Sequence, residues 1–224
     1  TKDTQIKSNK PVISVTAVRT GCGKSQTSRK VAEILQSMNK KVVALRHPMP
    51  YGNLLKQKCQ RFATYQDLKR QNVTIEEREE YEPWIKKGIT VYAGVDYKEI
   101  IKKAEKEADI IVWDGGNNDF SFYKSDLSIV VTDPHRPGHE LTYYPGFVNL
   151  LLADIVIINK IDTAKKQDIK TVEKNIKKYN PSAKIIKAES PLIVDAPQLI
   201  KNKKVLLVED GPTLTHGGMK FGAA

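Results

Sequence analysis

Between Val12 and Leu35 the chain passes from a β-branched run, through a glycine-rich turn, into an amphipathic stretch. Few folds accept that succession. A strand that ends in "VRTGCGKS" and leads into a helix is the setting of a phosphate-binding loop, whose usual pattern is G-x-x-x-x-G-K-[ST]. Gly23, Lys24 and Ser25 supply its second half, and Val18 stands where the first glycine is usual. Val18 still belongs to the strand end, so that departure matters less than a break in G-K-[ST] would. Arg19, Thr20, Gly21, Cys22, Gly23, Lys24, Ser25 and Gln26 are therefore the candidate nucleotide-binding residues. The helix start offers unpaired N–H groups and partial positive charge to an anion. Lys24 would reach the β/γ-phosphates and the Ser25 hydroxyl would ligate Mg2+.

Beyond this unit, short β-branched runs alternate with longer amphipathic ones, the pattern of βαβ units around a parallel sheet. Strands are expected at 12–18, 41–46, 89–95, 109–114, 127–133, 154–160, 183–188 and 204–210. Most are continuous apolar runs, as in strands covered on both faces. Helices are expected from about Lys24, with Val31, Ile34 and Leu35 at helical spacing, and over 97–107, 138–152 and 164–179. The expected fold is a three-layer αβα P-loop NTPase domain with a mostly parallel sheet, one domain over 1–224. Residues 1–10 read as a lead-in or linker. Residues 47–88 contain helical pieces and no clear strand, and read as a helical insertion over one end of the sheet. The acidic run "EEREEYEPW" (76–84) reads as a solvated helix. The strand over 204–210 runs into a glycine-rich turn with no covering helix, so the native chain is expected to be longer at both ends.

Two further motifs follow the loop in order. "ADIIVWDGG" is a buried strand ending in Asp114, where a P-loop fold holds Mg2+ or its water, and Asn117, Asn118 and Asp119 extend that loop. "IINKID" places Asn159, Lys160 and Asp162 after another buried strand. N-K-x-D is the base-reading motif of GTPases, with the aspartate accepting from the guanine edge. Ala188, in "KAES", is expected to supply a backbone N–H to the base. Three more loops crowd anion-binding groups at strand ends, where ligands sit in open α/β sheets. They hold Arg46 and His47; Asp133, His135, Arg136, His139, Glu140, Tyr143 and Tyr144; and Glu209, Asp210, Thr213 and His216. His135 and His139 have the spacing of a zinc pair on a helix, but Pro134 and Pro137 argue against a helix there. Anion binding and plain loop structure remain open beside metal binding.

The net charge of +11 fits a lysine-rich solvated surface first, a phosphorylated substrate second, and nucleic acid last, because no aromatic-basic recognition motif is present. Abundant Lys and Glu with many Ile and Val suit a heat-adapted protein. Two cysteines in no metal-like spacing, Cys22 and Cys59, suggest a reducing cytoplasm. No apolar run approaches the roughly 20 residues that span a bilayer, and no membrane partner is expected. A homodimer is left open.

The stretches "SVTAVRTGCGKSQTSR", "RHPMPYG", "QRFATYQDL", "TIEEREEYEP", "YAGVDY", "VWDGGNNDFSFY", "DPHRPGHELTYYPG", "ADIVIINKIDTA" and "VEDGPTLTHGG" resemble the archaeal cyclic 2,3-diphosphoglycerate synthetase family and the GTPase-like proteins grouped with it. The resemblance runs from residue 14 to 218. It implies a further N-terminal domain, a longer C-terminal part and a ligase reaction. In that reaction the γ-phosphoryl group of ATP passes to one phosphate of 2,3-bisphosphoglycerate and is displaced by the other, giving a cyclic phosphoanhydride. Arg19, Lys24, Arg46 and Arg136 are the candidate cations for such a load of phosphate, and His47 and His135 would move protons or bind phosphate. N-K-I-D reads as guanine recognition whereas the family reaction uses ATP, so both nucleotides stand as cofactors with Mg2+. The alternative function is a GTP-hydrolysing switch or metallochaperone, against which the lack of a C-x-x-C or C-x-C motif counts. A binding module without turnover is disfavoured by Lys24, Ser25 and Asp114 occurring together.

Overall fold

A computed structural model describes residues 3–47, 49, 52–116, 119–207, 219 and 222. Asn117, Asn118, Glu209, Asp210, Thr213 and His216 lie outside the described residues. Eight strands form one sheet: β1 (Val12–Ala17), β2 (Val42–Arg46), β3 (Gln60–Phe62), β4 (Thr90–Ala93), β5 (Ile110–Asp114), β6 (Leu127–Thr132), β7 (Ile155–Ile158) and β8 (Lys184–Lys187). Their order is β3-β4-β2-β5-β1-β6-β7-β8. All neighbours pair in parallel except β3 with β4. The helices are α1 (Lys24–Ser37), α2 (Tyr65–Arg70), α3 (Ile75–Ile85), α4 (Tyr97–Ala104), α5 (His139–Thr142), α6 (Gly146–Leu152) and α7 (Lys166–Tyr179). None is long and apolar enough to cross a membrane.

Burial explains the layering. Successive strand residues point to opposite faces, and on β2 Val42 and Ala44 join one apolar cluster while Val43 and Leu45 join another. The first cluster takes Leu35 of α1, Tyr81 and Trp84 of α3, Leu150 of α6 and Ile176 of α7. The second takes Ile100, Ile101 and Ala104 of α4. Helices thus cover both faces of the sheet, the three-layer αβα arrangement expected.

Several local expectations need correction. Residues 47–88 do contain a strand: β3 adds antiparallel to β4 at the sheet edge, and three residues are too few to show a period. The run at 76–84 is not a freely solvated helix, because Tyr81 and Trp84 of α3 are at most 1% exposed. Ile34 is 50% exposed; the core-facing stripe of α1 is Lys24, Ser28, Ala32 and Leu35. The helix expected over 138–152 is two, α5 and α6, broken at Tyr143–Pro145, where proline has no N–H to continue the ladder. Residues 204–207 are not in the sheet, and Leu206 is 89% exposed. β8 pairs only with β7, so that apolar run finds no strand partner among the described residues.

Candidate functional site

The phosphate loop follows from how β1 ends. Val18 donates its N–H to Val131 O at 3.1 Å and is 2% exposed, so it behaves as one more buried strand residue. The chain then turns through Gly21 (φ 81°) and Gly23 (φ 98°), left-handed conformations that favour glycine. At Gly23 space is short as well: a Cβ would meet Asn159 Nδ2 at 2.2 Å. Gly23 caps α1, whose first turn carries no acidic residue. The helix start is therefore open to an anion. Ser25 is half-buried and Gln26 exposed on that first turn, and Thr20 lies in the turn before it. Arg19 stacks over the Tyr143 ring, 3.8 Å from its centroid.

Asp114, fully buried at the end of β5, collects the groups on its two neighbouring elements. Lys24 Nζ lies 2.6 Å from its Oδ1, Ser28 Oγ donates to the same oxygen at 2.7 Å, and Arg46 at the end of β2 pairs with Oδ2. Burial alone would raise the Asp114 carboxyl, but Arg46 and then Lys24 override it and hold it well below the usual carboxylate range. Burial pulls the Lys24 ammonium down, Asp114 opposes that shift, and the neighbouring Arg46 charge adds to it. Lys24 Nζ is also 3.4 Å from Ser25 Oγ. A cation thus already lies between two hard oxygen donors, Ser25 and Asp114, a donor set that suits Mg2+. Arg46 is paired a second time, with Glu80 of α3. His47, next along, has its pKa lowered by burial, opposed by Asp119.

On the other flank, Asn159 Nδ2 donates to Cys22 O at 2.8 Å, and Lys160 Nζ donates to Gly21 O at 2.6 Å while pairing with Asp133 at 3.0 Å. The N-K half of N-K-I-D therefore fastens the phosphate loop to β7. The Asp162 carboxylate accepts the Ser190 N–H at 3.0 Å. The Ala188 N–H donates to Ile158 O at 2.9 Å, continuing the β7–β8 ladder; contrary to expectation, that amide is engaged and does not point free toward a base.

Arg136 pairs with Asp133 at 2.8 Å and lies 3.7 Å from Cys22 Sγ, 6% exposed. It braces the loop from the β6 side. Burial would raise Asp133, but Lys160 and Arg136 keep it low. His135 contacts Thr163 Oγ1 at 2.9 Å through Nε2, and sits in the loop before α5, whereas His139 opens that helix. Burial pushes the Cys22 thiol up to about 12. Two members of the site escaped the sequence reading. Ser28 carries a signal in hindsight, four residues after Lys24 on one helix face. Glu80 carries none, being one of several glutamates in an acidic run.

The assembled site can be compared with known proteins. Residues 88–189 match the family model described as the P-loop domain of cyclic 2,3-diphosphoglycerate synthetase. The chain is 68% identical over 222 residues to a protein of Thermococcus kodakarensis named arginine synthetase ArcE, covering 99% of this chain and 50% of that protein. It is 33% identical over 114 residues to a cyclic 2,3-diphosphoglycerate synthetase of Thermococcus sibiricus, covering 50% of this chain and 26% of that protein. Among solved structures, LpxK from Aquifex aeolicus in complex with ATP superposes with a TM-score of 0.57 at 19% identity, over 82% of this chain and 55% of that one. The chain spans half the length of the first relative and about a quarter of the second. It carries a P-loop nucleotide-binding domain similar to that of the cyclic 2,3-diphosphoglycerate synthetases.

Proposed function

We propose that this chain is the nucleotide-binding, phosphoryl-transferring part of a cytoplasmic synthetase that forms arginine. The observation that carries the reading is the placement of Lys24 between Ser25 and Asp114 at the mouth of the loop. Lys24 has to leave Asp114 to reach the β/γ-phosphates of a purine nucleoside triphosphate. Ser25 and Asp114 would hold Mg2+, which when bound neutralises charge on the phosphate oxygens. The amides of the loop and the start of α1 then cradle the phosphates, with Arg19 beside them. In-line transfer of the γ-phosphoryl group needs such positioning and charge more than it needs covalent chemistry.

The choice of acceptor is supported by which relative is similar over the whole chain. The protein named arginine synthetase aligns with 99% of this chain, the diphosphoglycerate synthetases with about half. A synthetase that makes a guanidinium forms a C–N bond at the expense of a nucleotide. Phosphorylating the oxygen of the ureido counterpart of arginine makes that oxygen a leaving group; ammonia then displaces phosphate, giving arginine, nucleoside diphosphate and phosphate. The second reading keeps 2,3-bisphosphoglycerate as acceptor, favoured by the family match over 88–189. Both begin with the same transfer. A GTP-driven switch has no comparable support.

The test is phosphate release by the full-length enzyme with ATP or GTP, alone, with the ureido amino acid plus ammonia, and with 2,3-bisphosphoglycerate. Stimulation by the ureido pair, with arginine as product, is expected. Stimulation by the glycerate alone moves the assignment to the second reading, and equal release under every condition overturns both.

A further inference from the structure

The Arg46 guanidinium is held from two directions. One terminal nitrogen reaches Asp114 at the end of β5, the other reaches Glu80 in the middle of α3. The Arg46 and Asp114 side chains are 4% and 0% exposed, whereas that of Glu80 is 31% exposed and stands nearest the solvent. α3 is well anchored. Thr74 and Glu77 close a capping box at its start, Phe62 stacks on Tyr81 with centroids 4.6 Å apart, and Trp84 is fully buried. Glu80 is thus a fixed point, and Arg46 is strung between it and the metal-site carboxylate. Arg29 of α1 also lies in the field of Asp114 and Glu80.

Resting on the proposed transfer, we infer that Glu80 is a positioning residue that pins Arg46 against Asp114 when Lys24 departs for the nucleotide. In the resting site Asp114 is shared by two cations and Ser28. Once Lys24 moves, Arg46 and Ser28 are the partners left among the described residues to keep the carboxylate aimed. An arginine with one carboxylate partner would turn toward an arriving phosphate, since guanidinium–phosphate pairs are strong and bidentate. Two carboxylates on separate elements hold it back. The acidic run of α3 therefore contributes one glutamate to the reaction, through Arg46 and without touching the nucleotide.

The experiment uses the full-length enzyme and its Glu80→Ala, Glu80→Asp and Glu80→Gln variants. Guanidinium 15N resonances, with Arg46 identified by its loss in Arg46→Lys, are expected to show hindered Cζ–Nη rotation in the wild type and averaged signals in Glu80→Ala. Binding of a fluorescent ATP analogue without Mg2+ should stay within about twofold. kcat should fall about tenfold to a hundredfold, the usual cost of removing an outer partner of a metal-site group, at unchanged nucleotide KM, with partial recovery in Glu80→Asp. Should Glu80→Ala not fold, Glu80→Gln carries the same comparison. Unchanged Arg46 signals overturn the inference, as does kcat within twofold of wild type in a folded variant. A loss of nucleotide affinity matching that of Lys24→Ala overturns it too. If the wild type itself releases no phosphate, the proposed function fails, and the guanidinium signals still decide the role of Glu80.

Discussion

At Asp114 the chain accepts a buried carboxylate because two cations and a hydroxyl surround it. Taking away only the charge, as in Asp114→Asn, strands Lys24 and leaves Arg46 with Glu80 alone among its described ion-pair partners, in a site where Lys24 and Arg46 are at most 9% exposed. Breaking a buried pair from one side costs about 3–5 kcal/mol, and urea unfolding of the variant should show a loss of that size. Lys24→Ala removes a cation and leaves the carboxylate with Arg46, so its expected signature is functional: phosphate release down by about a hundredfold or more, read beside an unfolding midpoint that moves less than that of Asp114→Asn. Gly23→Ala meets both a left-handed φ and the Asn159 amide; nucleotide binding by titration should weaken more than in Gly138→Ala, where φ is also positive but no atom crowds the site. Lys24, Ser25 and Asp114 stand out in the sequence because phosphate chemistry calls for those types after a glycine turn and at a strand end, and the structure brings the three together. Asn159 stood out as part of a base-reading motif, whereas its amide donates to the loop at Cys22 O. Glu80 did not, since nothing in a run of glutamates tells which one meets an arginine 34 positions earlier in the chain.

The elements tell a similar story with different blind spots. Parallel strands buried on both faces are long apolar runs, and β1, β2, β5, β6 and β7 were readable for that reason. β3 was not, because an edge strand of three residues is held by its partner β4 and not by its own pattern. The buried stripe of α1 was misread at Ile34 because two of its inward positions, Lys24 and Ser28, are the polar groups of the site. α3 looked solvated by composition, yet it seats Tyr81 and Trp84 in the core. Trp84→Ala should therefore cost about 3–5 kcal/mol, the usual range for a large aromatic removed from a core. If the measured loss in chemical denaturation is under 1 kcal/mol, α3 is not anchored as described.

For the molecule as a whole, acid is the informative stress. Asp114 and Asp133 both titrate lower when folded than when unfolded. Their stabilising contribution is complete above the unfolded carboxylate value, about 4, and is lost as pH falls through the folded values. Circular dichroism against pH should show the fold surviving below pH 4, and Asp133→Asn should move the acid transition upward. A transition centred above pH 5 in the wild type would contradict that sign. The sulfur within the phosphate loop carries a separate consequence. Cys22 is 1% exposed, and its thiol is pushed up to about 12 by burial first and Asp133 second. At neutral pH the reactive thiolate is therefore scarce there. Iodoacetamide or peroxide should mark the half-buried Cys59 before Cys22, so the nucleotide cradle tolerates air and alkylating reagents that inactivate enzymes whose working loops expose a sulfur.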